Sequence, residues 1–91
     1  MMTAIVFVRV RPDRIPEVAE QIASLETVRE VYSVTGNIDL IAMVKVSSFD
    51  QISDVVSTQM SKIDGVESTE THLAFRTLSR HDLESTFTLG T

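Results

Sequence analysis

The 91-residue sequence predicts an α+β fold of ferredoxin-like βαββαβ topology, in which two helices cover one face of a four-stranded antiparallel sheet. Three observations indicate this class. Four segments rich in β-branched residues have the pattern of strands, and two segments between them carry apolar residues at helical spacing. The order is strand–helix–strand in each half, with a faint internal repeat. Right-handed crossovers in both halves would then place both helices on the same side of the sheet.

The first half starts with a strand over residues 4–10, a run of mostly β-branched side chains that ends before Pro12. Asp13 stands where a helix N-cap is expected, and Pro16 falls in the first turn, where its missing N–H costs little. The helix carries one apolar face, made of Ile15, Val18, Ala19, Ile22 and Leu25. A second strand is expected over residues 28–35.

A tight connection at residues 36–39 joins the second strand to a third, which covers residues 40–46. Gly36 and Asn37 both tolerate positive φ, which is typical of hairpin turns. The third strand is strongly apolar, like the first. We therefore expect the second and third strands to form a hairpin within the sheet.

A second helix and a fourth strand complete the pattern. Ser48 and Gln51 have the spacing of a capping box at the start of the helix. The apolar stripe of this helix consists of Phe49, Ile52, Val55, Val56, Met60 and Ile63. Gly65 suits the left-handed position that follows a helix. The fourth strand is expected over residues 66–78.

A chain of 91 residues is expected to form a single domain, because a second core could not be built from what remains. We expect residues 1–78 to form that ferredoxin-like domain and residues 79–91 to form a polar tail. The sizeable apolar residues of the tail are Leu83, Phe87 and Leu89. They predict that the tail docks on a sheet edge or on a neighbouring subunit, where it would protect an open edge.

The composition argues against several classes of function. The chain has no cysteine, which excludes disulfides and thiolate metal sites and is compatible with the cytoplasm. Its net charge of -5 repels phosphate backbones, so we expect no direct nucleic-acid binding. No segment approaches the roughly 18 apolar residues that a membrane-spanning helix requires.

The first and third strands are apolar on both faces. One face of the pair carries Ala4, Val6, Val8, Leu40, Ala42 and Val44, and the other carries Ile5, Phe7, Ile41 and Met43. Two helices on one side of a sheet leave the other side uncovered, and such an apolar patch is rarely exposed to water. A second copy of the same sheet is the simplest cover. The pattern therefore predicts a homodimer.

The connection around Gly36, Asn37 and Asp39 is the loop with binding chemistry. Successive backbone N–H groups at Gly36 and Asn37 could hold a carboxylate, and Asp39 could pair with an ammonium group. Together they could hold both ends of a free amino acid. The alternative is a plain hairpin in which Asn37 and Asp39 make turn hydrogen bonds, an arrangement that is common.

Metal binding and catalysis find little support in the residues. Glu70, His72 and His81 could form a site with two histidines and one carboxylate, but they lack tight ligand spacing, so ordinary surface histidines are the preferred interpretation. No nucleophile elbow is present and no glycine-rich phosphate loop. We therefore assign no catalytic residues, no metal and no cofactor.

Three segments resemble the effector-binding domain of the Lrp/AsnC family of amino-acid-responsive transcription regulators, often called the RAM domain. They are Val34-Thr35-Gly36-Asn37-Ile38-Asp39-Leu40, the helix from Phe49 to Ile63, and Gly65-Val66-Glu67-Ser68-Thr69-Glu70-Thr71. The match runs from about residue 4 to residue 78. Its Gly-x-x-Asp turn is the more specific part, and the strand that contains two threonines follows in the right order.

The resemblance implies a ferredoxin-like dimer whose sheets face each other, assembled further into an octamer-like ring of four dimers. It also implies that a free amino acid or similar effector binds between dimers at the hairpin turn. By position, Gly36, Asn37 and Asp39 would contact the polar groups of the effector, and Thr69 and Thr71 are further candidates. Ile38 stands where many relatives have an aromatic or another residue.

Full-length members of this family carry an N-terminal helix–turn–helix, whereas here the first strand begins close to Met1. The resemblance therefore suggests a stand-alone effector domain, which could also assemble with a full-length regulator. Two other functions remain open. One is a small dimeric enzyme of the monooxygenase or isomerase type on the same scaffold, because fold alone does not decide function. The other is an assembly module without a ligand.

Overall fold

The protein is described from a computed structural model, which covers residues 1–78 and residue 80. In chain order the elements are β1 (Met2–Val10), a short 3-10 turn (Pro12–Arg14), α1 (Ile15–Ala23), β2 (Val28–Ser33), β3 (Leu40–Val46), α2 (Phe49–Ser53), a π-helical turn (Asp54–Gln59), a 3-10 turn (Met60–Lys62) and β4 (Val66–Leu73). The predicted βαββαβ order is confirmed. No helix among the described residues is long and apolar enough to cross a membrane.

The four strands form one sheet in the order β2-β3-β1-β4, and all neighbouring strands are antiparallel. This is the strand order of the ferredoxin-like fold. At the centre of the sheet, Phe7 of β1 stands opposite Ile41 of β3 on one side and opposite Glu70 of β4 on the other. The register therefore places these three side chains on the same face.

The core lies between the sheet and the helices. In β3 every second residue is buried, and the residues between them are half-buried. The buried set comprises Ala4, Val6, Val8, Val10, Val18, Ile22, Val28, Leu40, Ala42, Val44, Val46, Ile52, Val55 and Met60. A strand alternates its side chains between two faces, so this pattern shows that the helices cover one face of the sheet.

The start of the first helix differs from the prediction. Asp13 is not an N-cap, because α1 begins after Arg14 and its first turn has no side-chain cap. The Asp13 carboxylate instead accepts a hydrogen bond from Nε of Arg11 at 2.6 Å, and this bond lowers the pKa of Asp13. A charge-assisted bond to a nearby guanidinium competes well with a cap. Pro16 does lie in the first turn, as expected.

The second helix is divided, where the sequence predicts one continuous helix. Val55 and Met60 are both buried although they lie five positions apart, a spacing that does not fit one face of an α-helix. A π turn closes hydrogen bonds between residues five apart, so it brings both onto the core side. The predicted capping box of Ser48 and Gln51 does not form, because Ser48 makes no side-chain cap and Gln51 accepts a hydrogen bond at 2.6 Å from the backbone N–H of Ser47, one residue before the N-cap.

Two strands are shorter than predicted. β2 ends at Ser33, where the chain turns toward β3. β4 ends at Leu73, opposite Ala4 of β1, and the last backbone bond between these strands runs from Ala74 N–H to Thr3 O at 2.9 Å. Beyond this point the exposed side chains include Phe75 and Leu78. The predicted docking of the tail through Leu83, Phe87 and Leu89 concerns residues outside the described ones.

Candidate ligand-binding site

The loop between β2 and β3 crosses the end of β1. Gly36 has a φ of 116°, in the region that favours glycine, and a Cβ at this position would meet no atom within 4 Å. No non-glycine among the described residues has a positive φ, so Asn37 keeps an ordinary backbone conformation. The turn therefore depends on one glycine and exposes both Gly36 and Asn37.

Asp39 fastens this loop to β1. Its backbone N–H donates to the carbonyl of Val8 at 3.0 Å, and its Oδ2 accepts a hydrogen bond from the N–H of Val10 at 2.7 Å. On the loop side, the carbonyl of Asp39 accepts a hydrogen bond from the N–H of Val34 at 3.0 Å. Because β3 begins only at Leu40, its pairing with β1 ends at Val8. Beyond that end, the Asp39 carboxylate accepts the N–H of Val10 in place of a backbone carbonyl.

A cavity of about 460 Å³ opens beside this loop at the end of β1, on the side of the sheet away from the helices. Residues from β1, from the loop and from β4 line it, namely Phe7, Arg9, Asn37, Ile38, Ser68, Thr69 and Glu70. The lining combines two apolar side chains, three neutral hydrogen-bonding side chains, one cation and one anion. Such a mixture is typical of sites for small polar ligands.

The two charged residues of the cavity come from neighbouring strands. Arg9 is exposed and, within the part of the chain that the structure describes, takes part in no ion pair. Glu70 is also exposed, and its Oε2 lies 2.6 Å from Nε2 of His72. The His72 ring in turn packs against Phe7, with 5.0 Å between the ring centroids and 53° between the planes. These contacts hold Glu70 beside the aromatic wall of the cavity.

The sequence-predicted site residues separate into two groups. Asn37 and Thr69 line the cavity, and Gly36 and Asp39 shape the loop at its edge. Thr71 lies elsewhere, in a more apolar groove of about 300 Å³ lined with Phe49, Ile52, Ser53, Val56, Ser57 and Leu73. By register both threonines belong to the helix side of β4, since Thr69 stands opposite Val8 and Thr71 opposite Val6, but of the two it is Thr69 that borders the cavity.

Sequence reasoning did not select Arg9, Phe7, Ile38, Ser68 or Glu70 for the site. A signal existed for Arg9, since strict alternation along β1 puts it on the same face as Phe7. The same alternation groups Glu70 with His72 on β4. The pairing of β1 with β4, which brings the two sets together, is a property of the folded sheet.

The rest of this open face has an apolar centre and a polar margin. Ile5, Phe7, Ile41 and Met43 form the centre and are half-buried. At the margin, the hydroxyl of Tyr32 donates to Glu30 at 2.5 Å, and this bond raises the pKa of Tyr32. On the other margin, Nζ of Lys45 donates to the hydroxyl of Thr3 at 2.7 Å.

A three-residue metal site does not form among residues 1–78 and 80. Glu70 and His72 are in contact, but no group of three or more histidine, aspartate or glutamate side chains there is close enough to hold a metal ion. His81, the third residue considered from the sequence, lies outside the described residues.

Comparison with known proteins gives a consistent result. Residues 3–83 match the family model of the Lrp/AsnC ligand binding domain. An uncharacterized HTH-type transcriptional regulator of Pyrococcus furiosus is 33% identical over 72 residues, which is 79% of this chain and 49% of the relative. The chain spans about half the length of the curated relatives that it matches.

Solved structures show the same fold. A protein of Thermus thermophilus is 46% identical, with a TM-score of 0.83, and the alignment covers 88% of this chain and 100% of that one. A transcriptional regulator of Neisseria meningitidis, solved as a complex with L-Met, has a TM-score of 0.79 at 16% identity. That alignment covers 87% of this chain and 53% of the regulator, and at such low identity it supports the fold alone.

Proposed function

This chain belongs to the Lrp/AsnC ligand-binding-domain family, and from that premise we propose that it binds a free amino acid or a similar small effector and assembles into an oligomer in transcriptional regulation. The observation that carries the proposal is the cavity beside the Gly36 loop, with polar groups of both charges around an apolar wall. Regulation of transcription would place the protein in the cytoplasm.

The site that we propose is framed by the loop and by β4. Gly36 and Asn37 offer exposed backbone and amide groups, and Thr69 of β4 also borders the cavity. Asp39 holds the loop against β1 through its bond to Val10. The Neisseria meningitidis regulator that shares this fold was solved as a complex with L-Met, which makes amino acids the first ligands to test here. Thr71, which lies in the other groove, would contribute only to a separate surface.

The open sheet face supports assembly into a dimer. Its apolar centre of Ile5, Phe7, Ile41 and Met43, with charged and polar residues around it, has the arrangement of a protein interface. A second copy stacked on this face would cover the centre and leave the loop at the rim. Further association of dimers into a ring, or with a full-length regulator of the family, would bring another subunit to that rim.

A screen of the purified chain against the twenty L-amino acids by thermal shift tests the proposal. A ligand that binds only the native state raises the melting temperature, and the rise grows with its saturation. We expect one amino acid or a small group to raise it and the others to leave it unchanged. No shift with any of them at millimolar concentration would contradict amino-acid binding.

An assembly module without a small ligand is the second candidate. It is favoured by the position of the Asp39 carboxylate, which is already bonded to the protein backbone and could serve the fold alone. Sedimentation of the chain with and without each amino acid separates the two. A stable oligomer that no amino acid alters in melting temperature, size or shape would support the second candidate.

A further inference from the structure

We infer that residues 83–89 of the C-terminal tail dock in the apolar groove between α2 and the end of β4 of the same chain, with Phe87 and Leu89 in contact with the groove. This groove is the one that Thr71 and Leu73 line. The inference goes beyond the proposed function, because it concerns a surface on the helix side of the sheet and no effector. It also selects one place for the tail, where the sequence left a sheet edge and a neighbouring subunit as alternatives.

The helix layer leaves one corner of the sheet uncovered. Thr71 and Leu73 of β4 stand opposite Val6 and Ala4 of β1, so they belong to the helix side of the sheet. Val6 and Ala4 have 0% exposure, whereas Thr71 and Leu73 are both exposed. The helix layer therefore covers β1 but not the end of β4, which is an edge strand.

The uncovered corner is apolar and carries no charge. Phe49, in the first turn of α2, lines the groove and is 64% exposed although it is among the largest apolar side chains. Every residue that lines the groove has an apolar or a hydroxyl side chain. An apolar surface beside a sheet edge is usually covered by another segment or by a partner. The groove is therefore suited to an apolar segment.

The tail starts at the groove. Val46 at the end of β3 pairs with Met2, and Leu73 at the end of β4 pairs with Ala4, so both strands finish at the same end of the sheet. At that end α2 begins with Phe49. The chain therefore leaves β4 at Leu73, a residue of the groove itself, and a single reversal of direction brings the tail back along it.

The tail has the length that this path requires. Residues 74–82 are available for the reversal before Leu83. Along the second helix, the groove extends from Phe49 to Val56, which is about 10 Å at 1.5 Å per residue. The segment that ends at Leu89 spans about 9 Å as a helix or about 20 Å as a strand. In either conformation it is long enough to follow the groove.

The composition of the tail also matches the groove. Residues 85–89, Ser85-Thr86-Phe87-Thr88-Leu89, contain no charged side chain, although 23% of the whole chain is charged. Their side chains are apolar or carry a hydroxyl, like those of the groove. Burial of a charge against this surface would be costly, so a neutral segment is the one that fits. The match to the family model ends at residue 83, so Phe87 and Leu89 lie beyond it.

Labelling of a single introduced cysteine tests the docking, because the chain has no cysteine of its own. Ser53→Cys places a thiol in the groove at an exposed position. We expect this thiol to react with a maleimide about ten- to a hundredfold more slowly in the presence of the native tail than in the same protein with Phe87→Ser and Leu89→Ser. That factor corresponds to one or two buried apolar side chains after the cost of ordering the tail. Equal rates with the two tails would overturn the inference.

Matched controls locate the protection. Ser33→Cys is exposed on the helix side of β2, the edge strand at the opposite side of the sheet, and its labelling rate should be the same with either tail. Ser57→Cys, also in the groove, repeats the test from a second position. Melting curves confirm that each variant is folded. Equal protection of the thiols at positions 33 and 53 would show general shielding and would count against docking in the groove.

A mixed oligomer distinguishes the tail of the same chain from that of a neighbouring subunit. Protein with Ser53→Cys and the substituted tail is refolded together with an excess of the unchanged chain, which has no thiol to react. Docking within one chain predicts that the thiol stays as reactive as before. If the added chains slow its reaction, the tail of a neighbouring subunit fills the groove, and the assignment to the same chain is wrong.

Discussion

The two faces of the sheet are built from similar residues but differ in what covers them. β3 sends Leu40, Ala42 and Val44 toward the helices, where they are fully buried, and sends Ile41 and Met43 to the other side, where they are half-buried. Isoleucine and methionine are no less apolar than the residues that the helices cover. Side-chain hydrophobicity alone therefore does not identify the covered face, and chain topology decides it.

A carboxylate introduced on each face in turn should show the largest difference between the two faces. Val6→Asp places a carboxylate under the helices, at a residue with 0% exposure. An unpaired buried charge costs about 3–5 kcal/mol, which is a large part of the stability of a small domain. We expect this variant to be unfolded by circular dichroism at 25 °C. A cooperative melting transition near that of the wild type would contradict the assignment of the core.

The neighbouring substitution tests the open face. Phe7→Asp points away from the helices, so the monomer should keep its fold while the proposed sheet-to-sheet dimer dissociates. Sedimentation at micromolar concentration would then show a dimer for the wild type and a folded monomer for the variant. If the wild type is a monomer under these conditions, the proposed dimer is wrong. If the variant remains a dimer, the dimer interface lies on another surface.

Two glycines with positive φ allow a similar comparison between an open and a packed position, with a smaller expected effect on stability. At Gly36 an added Cβ meets nothing within 4 Å, whereas at Gly65 it would lie 2.8 Å from Cβ of Arg14 and 3.0 Å from Cγ2 of Val18. Gly36→Ala should cost about 1–2 kcal/mol from its backbone conformation alone. Gly65→Ala should cost about 1–3 kcal/mol more, because it crowds the helix layer. Denaturant unfolding of both variants measures the difference, and equal losses would contradict the close packing at Gly65.

Asp39 separates a role in positioning from a role in direct binding. Asp39→Ala should lower the free energy of unfolding by about 1–3 kcal/mol, because the N–H of Val10 loses its acceptor. Asp39→Asn keeps an acceptor, so it should lose less than about 1 kcal/mol and should bind the amino acid selected by the thermal screen as the wild type does. A loss of affinity in Asp39→Asn at unchanged stability would place Asp39 in direct contact with the effector.

The smallest expected effect concerns binding to nucleic acid. With a net charge of -5 and charged residues of both signs on its open face, the 91-residue chain should show no sequence-specific binding to duplex DNA at physiological salt. Fluorescence anisotropy with labelled duplexes measures this. Specific binding that weakens steeply with salt would contradict it.

Much of the fold could be predicted from the sequence because local patterns specify it. The limits of β3 were predicted to the residue, and the alternation along β1 sorted its residues correctly into two faces. The helix cap at Asp13 was wrong because Arg11, only two residues away, offers its carboxylate a stronger partner. The continuous second helix was wrong because burial of both Val55 and Met60 requires a different turn.

The candidate site was less predictable. The loop around Gly36 and Asn37 was recognisable as a turn with binding chemistry, because glycine at a positive φ has a local signal. By itself the sequence determined the order of the elements, the alternation of the strands and this turn, all of which depend on neighbours in the chain. Only the tertiary structure decided that Asp39 bonds to Val10 and that Arg9 and Glu70 share a cavity. Those relations join residues that are 29 and 61 positions apart, and only the pairing of β1 with its neighbouring strands brings them together.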